Sequence, residues 1–391
     1  YETGEVMGAV PAIVDGVVYA GGEDGIVFAL DAESGAFLWK FTTDGLIDYG
    51  PSVANGVVYV GTDAGTFYAI SGNGPGTPAA SPAASAPGES APVATFLWQS
   101  DAGEDGWIVN DLAMLPDGNV AAVGDGVNDV VVFSPDGDVV EKWTPSTTVS
   151  GVDSLLEGIA IDPNGNIYLS SAQRASIEVF APDHTFLRSW GSKGSGDGQF
   201  QYVVGFAIAP NGDVWVADND RADVQIFASD GTYLKTIGGP TAGEGQFANP
   251  SFPAFDADGN AWIADFGNSR MTVWSPDRTF LREFGEFGRR PGQWDEPNAA
   301  EFDGNGLVFI PDTELGHINV YTTDGQFVAQ WGEKGSQPGS FHYPSTTLLD
   351  GQGNIYVSEL DGGRVQKFAV NQEALAALVD ALGTPVATPV S

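Results

Sequence analysis

Four acidic residues recur at a fixed spacing of 47 positions, and their side chains could supply the chemistry of a metal site. They are Asp218, Asp265, Asp312 and Glu359, and each stands at the end of a short apolar run. Carboxylate oxygens that converge on one point can bind a divalent cation such as calcium. The alternative is that each carboxylate caps its own loop by accepting backbone N–H hydrogen bonds. Their recurrence with a repeat favours the capping role.

Other catalytic chemistry has little support in the residue types. The chain has no cysteine, and its three histidines are His184, His317 and His342. A zinc site needs three or four converging ligands, and these histidines do not share a motif that would bring them together. A Gly-x-Ser-x-Gly nucleophile elbow is also missing from the sequence. We therefore predict no cofactor, and calcium at the four recurring carboxylates is the one ion worth considering.

A 47-residue repeat sets the elements that position these residues. The same turn glycine recurs six times, and a large aromatic residue closes a strand-like run in each copy with the same period. The glycines are Gly118, Gly165, Gly212, Gly259, Gly306 and Gly353, and the aromatics are Phe133, Phe180, Phe227, Trp274, Tyr321 and Phe368. Two markers that keep one period indicate one structural unit copied six times.

Each copy contains four strand signals and no helix signal. In the third copy the strands are predicted over 204–209, 214–217, 224–227 and 232–237, separated by Asn-Gly and Asp-Gly turns. Four-stranded antiparallel sheets of this length are propeller blades, so the sequence predicts an all-β, six-bladed β-propeller. The sixth copy lacks its fourth strand. We expect the strand at 95–100 to complete that blade and close the ring.

The repeat resembles the NHL repeat over residues 95–370. The resemblance rests on Gly198-Gln199-Phe200, the run from Gly212 to Asp218, and the basic residues Arg270 and Arg364 after the second strand. His317 and Asp223 depart from the pattern at that basic position. The resemblance implies a six-bladed propeller. It does not imply one function, because such propellers include enzymes, RNA binders and protein-binding scaffolds.

Residues 1–72 carry a different repeat with a period of 40. Positions 11, 16, 19, 25 and 29 hold Pro, Gly, Tyr, Gly and Ala, and the same residue types recur 40 positions later. These two units resemble the PQQ-like propeller repeat of quinoproteins and outer-membrane assembly scaffolds. Two blades cannot close a ring, so we expect an incomplete PQQ-like propeller without a bound quinone. The first residues match the middle of a repeat, which suggests the C-terminal part of a longer protein; a complete mature N-terminus packed on a neighbour is the alternative.

Two segments outside the repeats have simple compositions. Residues 73–94 are almost entirely Gly, Pro, Ala, Ser and Thr, and such a stretch is predicted to be a semi-extended linker. Residues 371–391 are predicted to form a short helix and a frayed tail. Asn371 is the expected N-cap of that helix and Gly383 its C-terminal stop.

The charge balance restricts the partners. The chain carries 52 acidic and 15 basic residues, with a formal net charge of -37. Nucleic acids and anionic membrane surfaces should be repelled by such a chain. No run approaches the roughly 20 apolar residues that span a bilayer, so we expect no membrane insertion. The acidity, the linker and the PQQ-like units together favour an extracellular, periplasmic or cell-surface location.

Longer loops are predicted to lie on one face of the propeller, where binding sites usually occur. More than half of the basic residues fall in these loops. They are Arg174, Lys193, Arg221, Arg270, Arg289, Arg290, Lys334 and Arg364. These residues could bind an anionic or polar partner, or they could pair with loop carboxylates such as Asp220, Glu286 and Glu333. Trp107 lies outside the repeat register, so we expect it to be an exposed contact.

Three hypotheses about function follow. The first is an extracytoplasmic binding or scaffold protein that presents the long-loop face to a protein or glycan. The second is a metal-assisted hydrolase or lyase that works at the channel through the four recurring carboxylates. The third is that these propellers form the sensor region of a larger protein. The sequence favours the first hypothesis.

Overall fold

The computed structural model describes most of the chain and divides it into two units. Unit 1 is Tyr1–Glu89 and unit 2 is Ser90–Ser391. The described residues are 11–14, 16–22, 26–43, 47, 50–54, 57–62, 66–71, 92–100, 107–126, 128–145, 155–241 and 243–382. The predictions for the first ten residues, for most of the linker at 73–94 and for the tail after 382 lie outside these residues.

Unit 1 contains one four-stranded and one three-stranded antiparallel sheet among its described residues. The strands are β1 (Ala12–Val14), β2 (Val17–Gly21), β3 (Ile26–Asp31), β4 (Phe37–Thr42), β5 (Ser52–Ala54), β6 (Val57–Gly61) and β7 (Phe67–Ser71). Apolar side chains of both sheets share one core, which includes Tyr19, Trp39 and Val58.

Unit 2 contains six four-stranded antiparallel sheets in its described residues, which we call blades 1 to 6. Blade 1 consists of β9 (Asp111–Met114), β10 (Val120–Val123), β11 (Val130–Phe133) and β12 (Val139–Trp143). Blade 2 consists of β13 (Leu156–Ile161), β14 (Ile167–Ser171), β15 (Ser176–Phe180) and β16 (Phe186–Trp190). Blade 3 consists of β17 (Val203–Ile208), β18 (Val214–Asp218), β19 (Asp223–Phe227) and β20 (Tyr233–Gly238).

The remaining blades follow the same order. Blade 4 consists of β21 (Pro250–Phe255), β22 (Ala261–Asp265), β23 (Arg270–Trp274) and β24 (Phe280–Phe284). Blade 5 consists of β25 (Glu301–Phe302), β26 (Leu307–Asp312), β27 (His317–Thr322) and β28 (Phe327–Trp331). Blade 6 consists of β29 (Pro344–Leu349), β30 (Asn354–Glu359), β31 (Val365–Val370) and, from the start of the unit, β8 (Ala94–Gln99).

The recurring glycines close the turn between the first and second strands of each blade. All six have positive φ, between +78° at Gly259 and +98° at Gly306, a region that glycine enters without a steric penalty. In blade 2 the Asp162 carboxylate accepts hydrogen bonds from the backbone N–H groups of Asn164 and Asn166, at 2.8 and 2.9 Å. The 47-residue spacing of glycine therefore reflects one turn built six times.

The recurring aromatics fill the cores between neighbouring blades. Loop aromatics that precede blades 3 to 6 are fully or almost fully buried and lie against the aromatic that closes the third strand. The pairs are Phe200 with Phe227, Phe247 with Trp274, Trp294 with Tyr321, and Phe341 with Phe368, with ring centroids 5.1–6.1 Å apart. Large rings contribute much of the buried apolar area, so these contacts stabilise the blade interfaces.

The ring closes between blades 6 and 1. Tyr356 and Val365 of blade 6 share a core with Val120 and Phe133 of blade 1. Strand β8 pairs antiparallel with β31, with Phe96 opposite Phe368. Sheets arranged radially in a closed ring form a β-propeller, in which the edges of each sheet are short and protected.

One helix, α1 (Gln372–Leu382), follows blade 6. The Asn371 side chain accepts a hydrogen bond from the backbone N–H of Ala374 at 3.0 Å, which caps the first turn. Leu375 is fully buried in the core between blades 5 and 6. Within the described part of the chain, no helix is long and apolar enough to cross a membrane.

Candidate functional site

Two kinds of loops leave unit 2 at the same end of the strands. Because the strands of each blade are antiparallel and follow one another in sequence, the loop between the second and third strands lies beside the loop that leads to the next blade. The short Gly turns lie at the opposite end. We call the first end the long-loop face and the second the short-turn face.

The four recurring carboxylates hold the loops of the long-loop face from inside. The side chains of all four are fully buried. Asp218 accepts hydrogen bonds from the backbone N–H groups of Gln201 and Tyr202, at 2.6 and 2.9 Å. In the same way Asp265 accepts from Ala248 and Asn249, Asp312 from Asp295 and Glu296, and Glu359 from His342. Each carboxylate therefore fixes the loop that enters its own blade.

We call each of these buried carboxylates, together with the loop backbone that it binds, a clamp. In three of the four clamps an arginine also takes part. Arg270 Nε lies 3.0 Å from Asp265 Oδ2, and Arg364 Nη2 lies 2.6 Å from Glu359 Oε2. Arg221 Nη2 lies 2.8 Å from Asp223 and its Nε lies 3.9 Å from Asp218. The three guanidinium groups also donate to loop carbonyl groups, of Gln246, Ser336 and Gly196 respectively. Backbone N–H and C=O groups of one loop are thus both bound to a single buried ion pair.

This geometry does not bring the four carboxylates to one point. Each belongs to a separate blade and binds its own loop, and the described residues contain no group of three or more acidic, histidine or cysteine side chains that could hold a metal ion. Burial raises the pKa of Asp312 and of Glu359. Burial also lowers the pKa of His317, the residue that replaces arginine in blade 5.

Three more of the predicted basic residues are also bound within the protein. Arg174 Nη1 lies 2.6 Å from Glu178 Oε1. The Lys193 ammonium donates to the carbonyl of Gln201. Lys334 Nζ lies 3.0 Å from Glu314 Oε1 and 4.3 Å from the centroid of the Tyr343 ring. Together with the three clamp arginines, six of the eight basic residues therefore form hydrogen bonds or ion pairs within the protein.

Arg289 and Arg290 differ from the other six. Both are exposed, and their guanidinium groups have no hydrogen-bond or ion-pair partner among the described residues. Phe287, two residues earlier, is 68% exposed. The long-loop face therefore presents two available cations next to an exposed aromatic ring.

The prediction that Trp107 is an exposed contact is wrong. Its side chain is 4% exposed and its ring stacks on Phe133 with centroids 6.3 Å apart. The segment before β9 runs between blades 6 and 1, where the Val109 N–H donates to the Glu359 carbonyl at 3.1 Å. Trp107 therefore fills the core that closes the ring.

The innermost strands enclose a central channel with a cavity of about 330 Å³. Asp111 and Glu301 line this cavity together with Phe206 and Phe252. Burial raises the pKa of Asp111 to about 7. Burial and the nearby charge of Asp111 raise the pKa of Glu301 to about 7. Both carboxyl groups are therefore partly protonated near neutral pH.

A third carboxyl group with a raised pKa is that of Glu157 in blade 2. Glu157 accepts hydrogen bonds from the Asn110 side chain at 2.8 Å and from the Tyr202 hydroxyl at 2.9 Å. Burial, followed by the charge of Asp125, raises the pKa of Glu157 to about 7. The sequence analysis did not select any of these three carboxyl groups.

Side chains 47 residues apart form a hydrogen-bonded belt around the channel. Ser251 donates to Asn298, whose side chain donates to the Ser345 hydroxyl at 3.0 Å. Ser345 in turn donates to the carbonyl of Asn110 at 2.8 Å. The belt continues from Asn110 to Glu157 and links neighbouring blades at their innermost strands. Position-by-position comparison of the repeats could have revealed it, because polar residues recur at this register.

Glu301 also has a signal in the repeat. The equivalent residues in blades 1 to 4 are all alanine, at positions 113, 160, 207 and 254. The equivalent residue in blade 6 is Leu348, so Glu301 is the single acidic residue in a register of apolar residues.

The family model of the outer membrane protein assembly factor BamB (PQQ_2) matches residues 2–232, which is more than half of the 391 residues. The chain belongs to this family. The match covers unit 1 and extends into blade 3, so both units carry the family pattern. No curated protein sequence matches the chain.

Solved structures of propellers resemble this fold at low sequence identity. A catalytically inactive virginiamycin B lyase from Staphylococcus aureus, with quinupristin, is 14% identical with a TM-score of 0.51; the match covers 95% of this chain and 97% of the lyase. A streptogramin B lyase is 13% identical with a TM-score of 0.50, covering 90% and 92% of the two chains. A protein assigned as a gluconolactonase is 17% identical with a TM-score of 0.53, covering 71% and 92%. These similarities concern the fold alone.

Proposed function

We propose that this chain is an extracytoplasmic scaffold that binds a partner protein through the long-loop face of unit 2. The observation that carries the proposal is the set of internal clamps. Buried carboxylates and guanidinium groups hold the backbone of the long loops in fixed positions. A surface that is ordered before binding loses less conformational entropy on association. Loops that are rigid, and whose described residues do not bring reactive side chains together, suit recognition.

Membership of a family named for an assembly factor supports a scaffold role over an enzymatic one. A partner protein is favoured over a glycan because the recurring rings that could stack on a sugar are buried between the blades. Placement outside the cytoplasm, at the cell surface or in the periplasm, is part of the same proposal, as is the assignment of unit 2 to six-bladed propellers of the NHL type.

Blocking one face at a time tests the proposal. The chain has no cysteine, so a single introduced thiol can be coupled selectively to a large polyethylene glycol maleimide. Ser195→Cys places the polymer on the long-loop face and Asn211→Cys places it on the short-turn face; both native residues are exposed. The unmodified protein and both conjugates are then immobilised and compared for the proteins that they retain from an envelope extract of the source organism.

We expect specific partners to be retained by the unmodified protein and by the Asn211→Cys conjugate, and to be lost from the Ser195→Cys conjugate. Retention that is unaffected by a polymer on the long-loop face would contradict the proposal. Equal loss from both conjugates would also contradict it, because the binding would then not distinguish the faces.

A further inference from the structure

The loop between blades 4 and 5 departs from an otherwise repeated frame. Corresponding loops run from Gly191 to Phe200, from Gly285 to Trp294 and from Gly332 to Phe341. In each, the third residue forms an isolated parallel bridge with the last: Lys193 with Phe200, Phe287 with Trp294, and Lys334 with Phe341. The backbone is the same in the three loops, so the differences lie in the side chains that each loop presents.

The 285–294 loop is anchored at both ends. Trp294 is fully buried and its ring centroid lies 5.1 Å from that of Tyr321 in blade 5. Gly285, with φ +122°, allows the indole to press against the backbone, because a Cβ there would lie 2.5 Å from the ring. Gly288 N–H donates to the Trp294 carbonyl at 2.9 Å and Gln293 N–H donates to the Arg290 carbonyl at 2.8 Å. The tip of the loop is therefore fixed in position.

The side chains at the tip of the 285–294 loop are exposed, whereas the equivalent lysines of the other two loops bind acceptors within the protein. Lys193 and Lys334 turn back and bind acceptors of the protein itself, whereas Phe287 at the same position is 68% exposed. The positions equivalent to Arg289 and Arg290 are Ser195 and Gly196 in the loop that follows blade 2, and Ser336 and Gln337 in the loop that follows blade 5. Only here among these three loops does the tip carry two arginines. Glu286 is the single acidic residue of the loop.

An exposed aromatic ring beside arginines is the composition of protein-binding hot spots. The remainder of the chain is strongly acidic, with 52 acidic residues against 15 basic ones, and repels acidic segments at long range. The exposed guanidinium groups of Arg289 and Arg290, which have no partner within the described ranges of the chain, give carboxylates an attractive contact, and Phe287 provides an adjacent apolar contact. A basic partner, by contrast, would find acceptors over the whole surface and would not need this loop.

We infer that the 285–294 loop is the docking point for an acidic segment of a partner protein that carries a large apolar side chain next to its carboxylates. This inference rests on the proposed scaffold function and specifies the chemistry of the partner. Arg289 and Arg290 pair with the carboxylates, and Phe287 packs against the apolar side chain.

The test uses a fluorescein-labelled synthetic 12-residue peptide of alternating glutamate and leucine, with fluorescence anisotropy as the readout. Two control peptides replace all glutamates with lysine or all leucines with serine. The protein variants are R289S/R290Q, which copies the residues of the blade 5 loop, and F287S. A charge-matched control, K142S/K235Q, removes two exposed lysines from the outermost strands β12 and β20.

We expect the wild-type protein to bind the glutamate–leucine peptide, and R289S/R290Q and F287S each to weaken binding at least tenfold, while K142S/K235Q changes it less than twofold. Raising the salt concentration should weaken binding because the contact is between exposed charges. The inference is overturned if the peptide does not bind, if R289S/R290Q binds it as tightly as the wild type, or if the serine-substituted peptide binds equally well. Arginine-dependent binding to phosphatidylglycerol vesicles without peptide binding would also overturn it, since it would make the loop a lipid contact.

Failure of this inference differs from failure of the scaffold function. If the face-blocking experiment yields partners that R289S/R290Q retains fully, the long-loop face binds proteins by other loops and only the inference fails. If a polymer on the long-loop face does not affect partner retention, the scaffold proposal itself fails.

Discussion

Replacing Glu301 with alanine is expected to make the stability of unit 2 depend less on pH. Glu301 lines the channel, where burial and the charge of Asp111 raise its pKa from the ordinary value of 4.5 to about 7. In the unfolded chain the same carboxyl group ionises at its ordinary pKa. The folded protein therefore holds this proton more tightly than the unfolded chain does, and stability from this group is fully present below pH 4.5 and is lost as the pH rises to 7.

The expected magnitude follows from the size of this shift. One pKa unit corresponds to about 1.4 kcal/mol, so Glu301 lowers the free energy of unfolding by roughly 2.5 kcal/mol between pH 5 and pH 8. Alanine removes this loss. It also removes the hydrogen bond that the Leu349 N–H donates to the carboxyl group at 2.9 Å, which costs about 1 kcal/mol at either pH. Blades 1 to 4 already carry alanine at the equivalent position, so we expect the channel to accommodate it.

Urea unfolding at pH 5 and pH 8, followed by tryptophan fluorescence, measures the effect. Nine of the ten tryptophans belong to unit 2. Asp111 is coupled to Glu301 and its titration changes with the substitution, but the other titrating groups are shared by wild type and variant, so they cancel when the two pH dependences are subtracted. Glu301→Ala should be about as stable as wild type at pH 5 and more stable by about 2 kcal/mol at pH 8. Glu244→Ala, at an exposed loop residue, is the control. If the Glu301→Ala protein shows the same pH dependence as wild type, the reasoning is refuted.

Three other predictions concern the clamps, the belt and the ring closure. Asp265→Asn should lower the free energy of unfolding by about 2–3 kcal/mol, because it leaves Arg270 without its buried partner. Asp258→Asn, at an exposed turn, is the control and should cost less than about 0.5 kcal/mol. An equal effect of the two substitutions would contradict the clamp role. Asn298→Ala should lower the free energy of unfolding by about 2 kcal/mol. A double-mutant cycle with Ser345→Ala, measured by urea unfolding, should show a coupling energy of at least about 0.5 kcal/mol. Additive effects would mean that the hydrogen bond between these two side chains does not stabilise the belt. Trp98→Ala removes a ring that links β8 to blades 6 and 1, so it should lower stability by about 2 kcal/mol in calorimetry; an unchanged melting temperature would show that β8 does not hold the ring closed.

Much of the fold could be predicted from the sequence because the repeat records local constraints. The glycine at each 47th position closes a turn that requires positive φ, and the aromatic of each third strand is buried at a blade interface. Both constraints act over a few residues and their nearest packing partners, so they recur wherever the blade recurs. The same logic explains the four clamp carboxylates, which repeat because each of blades 3 to 6 fixes its incoming loop in the same way.

The candidate site could be predicted only in part. Eight basic residues are equivalent in the sequence as members of long loops, yet six bind acceptors of the protein itself, whereas Arg289 and Arg290 are exposed and have no partner in the part of the chain that the structure describes. Pairing of a long side chain depends on which acceptor the neighbouring loop brings within reach, and that acceptor is 28 positions away for Arg364 and Ser336. Trp107 was misjudged for the same reason, because its burial depends on blade 6, more than 200 residues later.

The sequence by itself determined the repeated blade, its turns, its buried aromatics and the acidic character of the chain, since each follows from short-range geometry or from composition. Only the tertiary structure decided which charged side chains form ion pairs or hydrogen bonds within the protein and which stay exposed. Closing the ring brings Asp111 of blade 1 and Glu301 of blade 5 into one cavity. Burial there raises the pKa of both carboxyl groups, and the charge of Asp111 raises the pKa of Glu301 further. The tertiary structure also leaves Phe287, Arg289 and Arg290 exposed at the tip of a loop that is anchored at both ends.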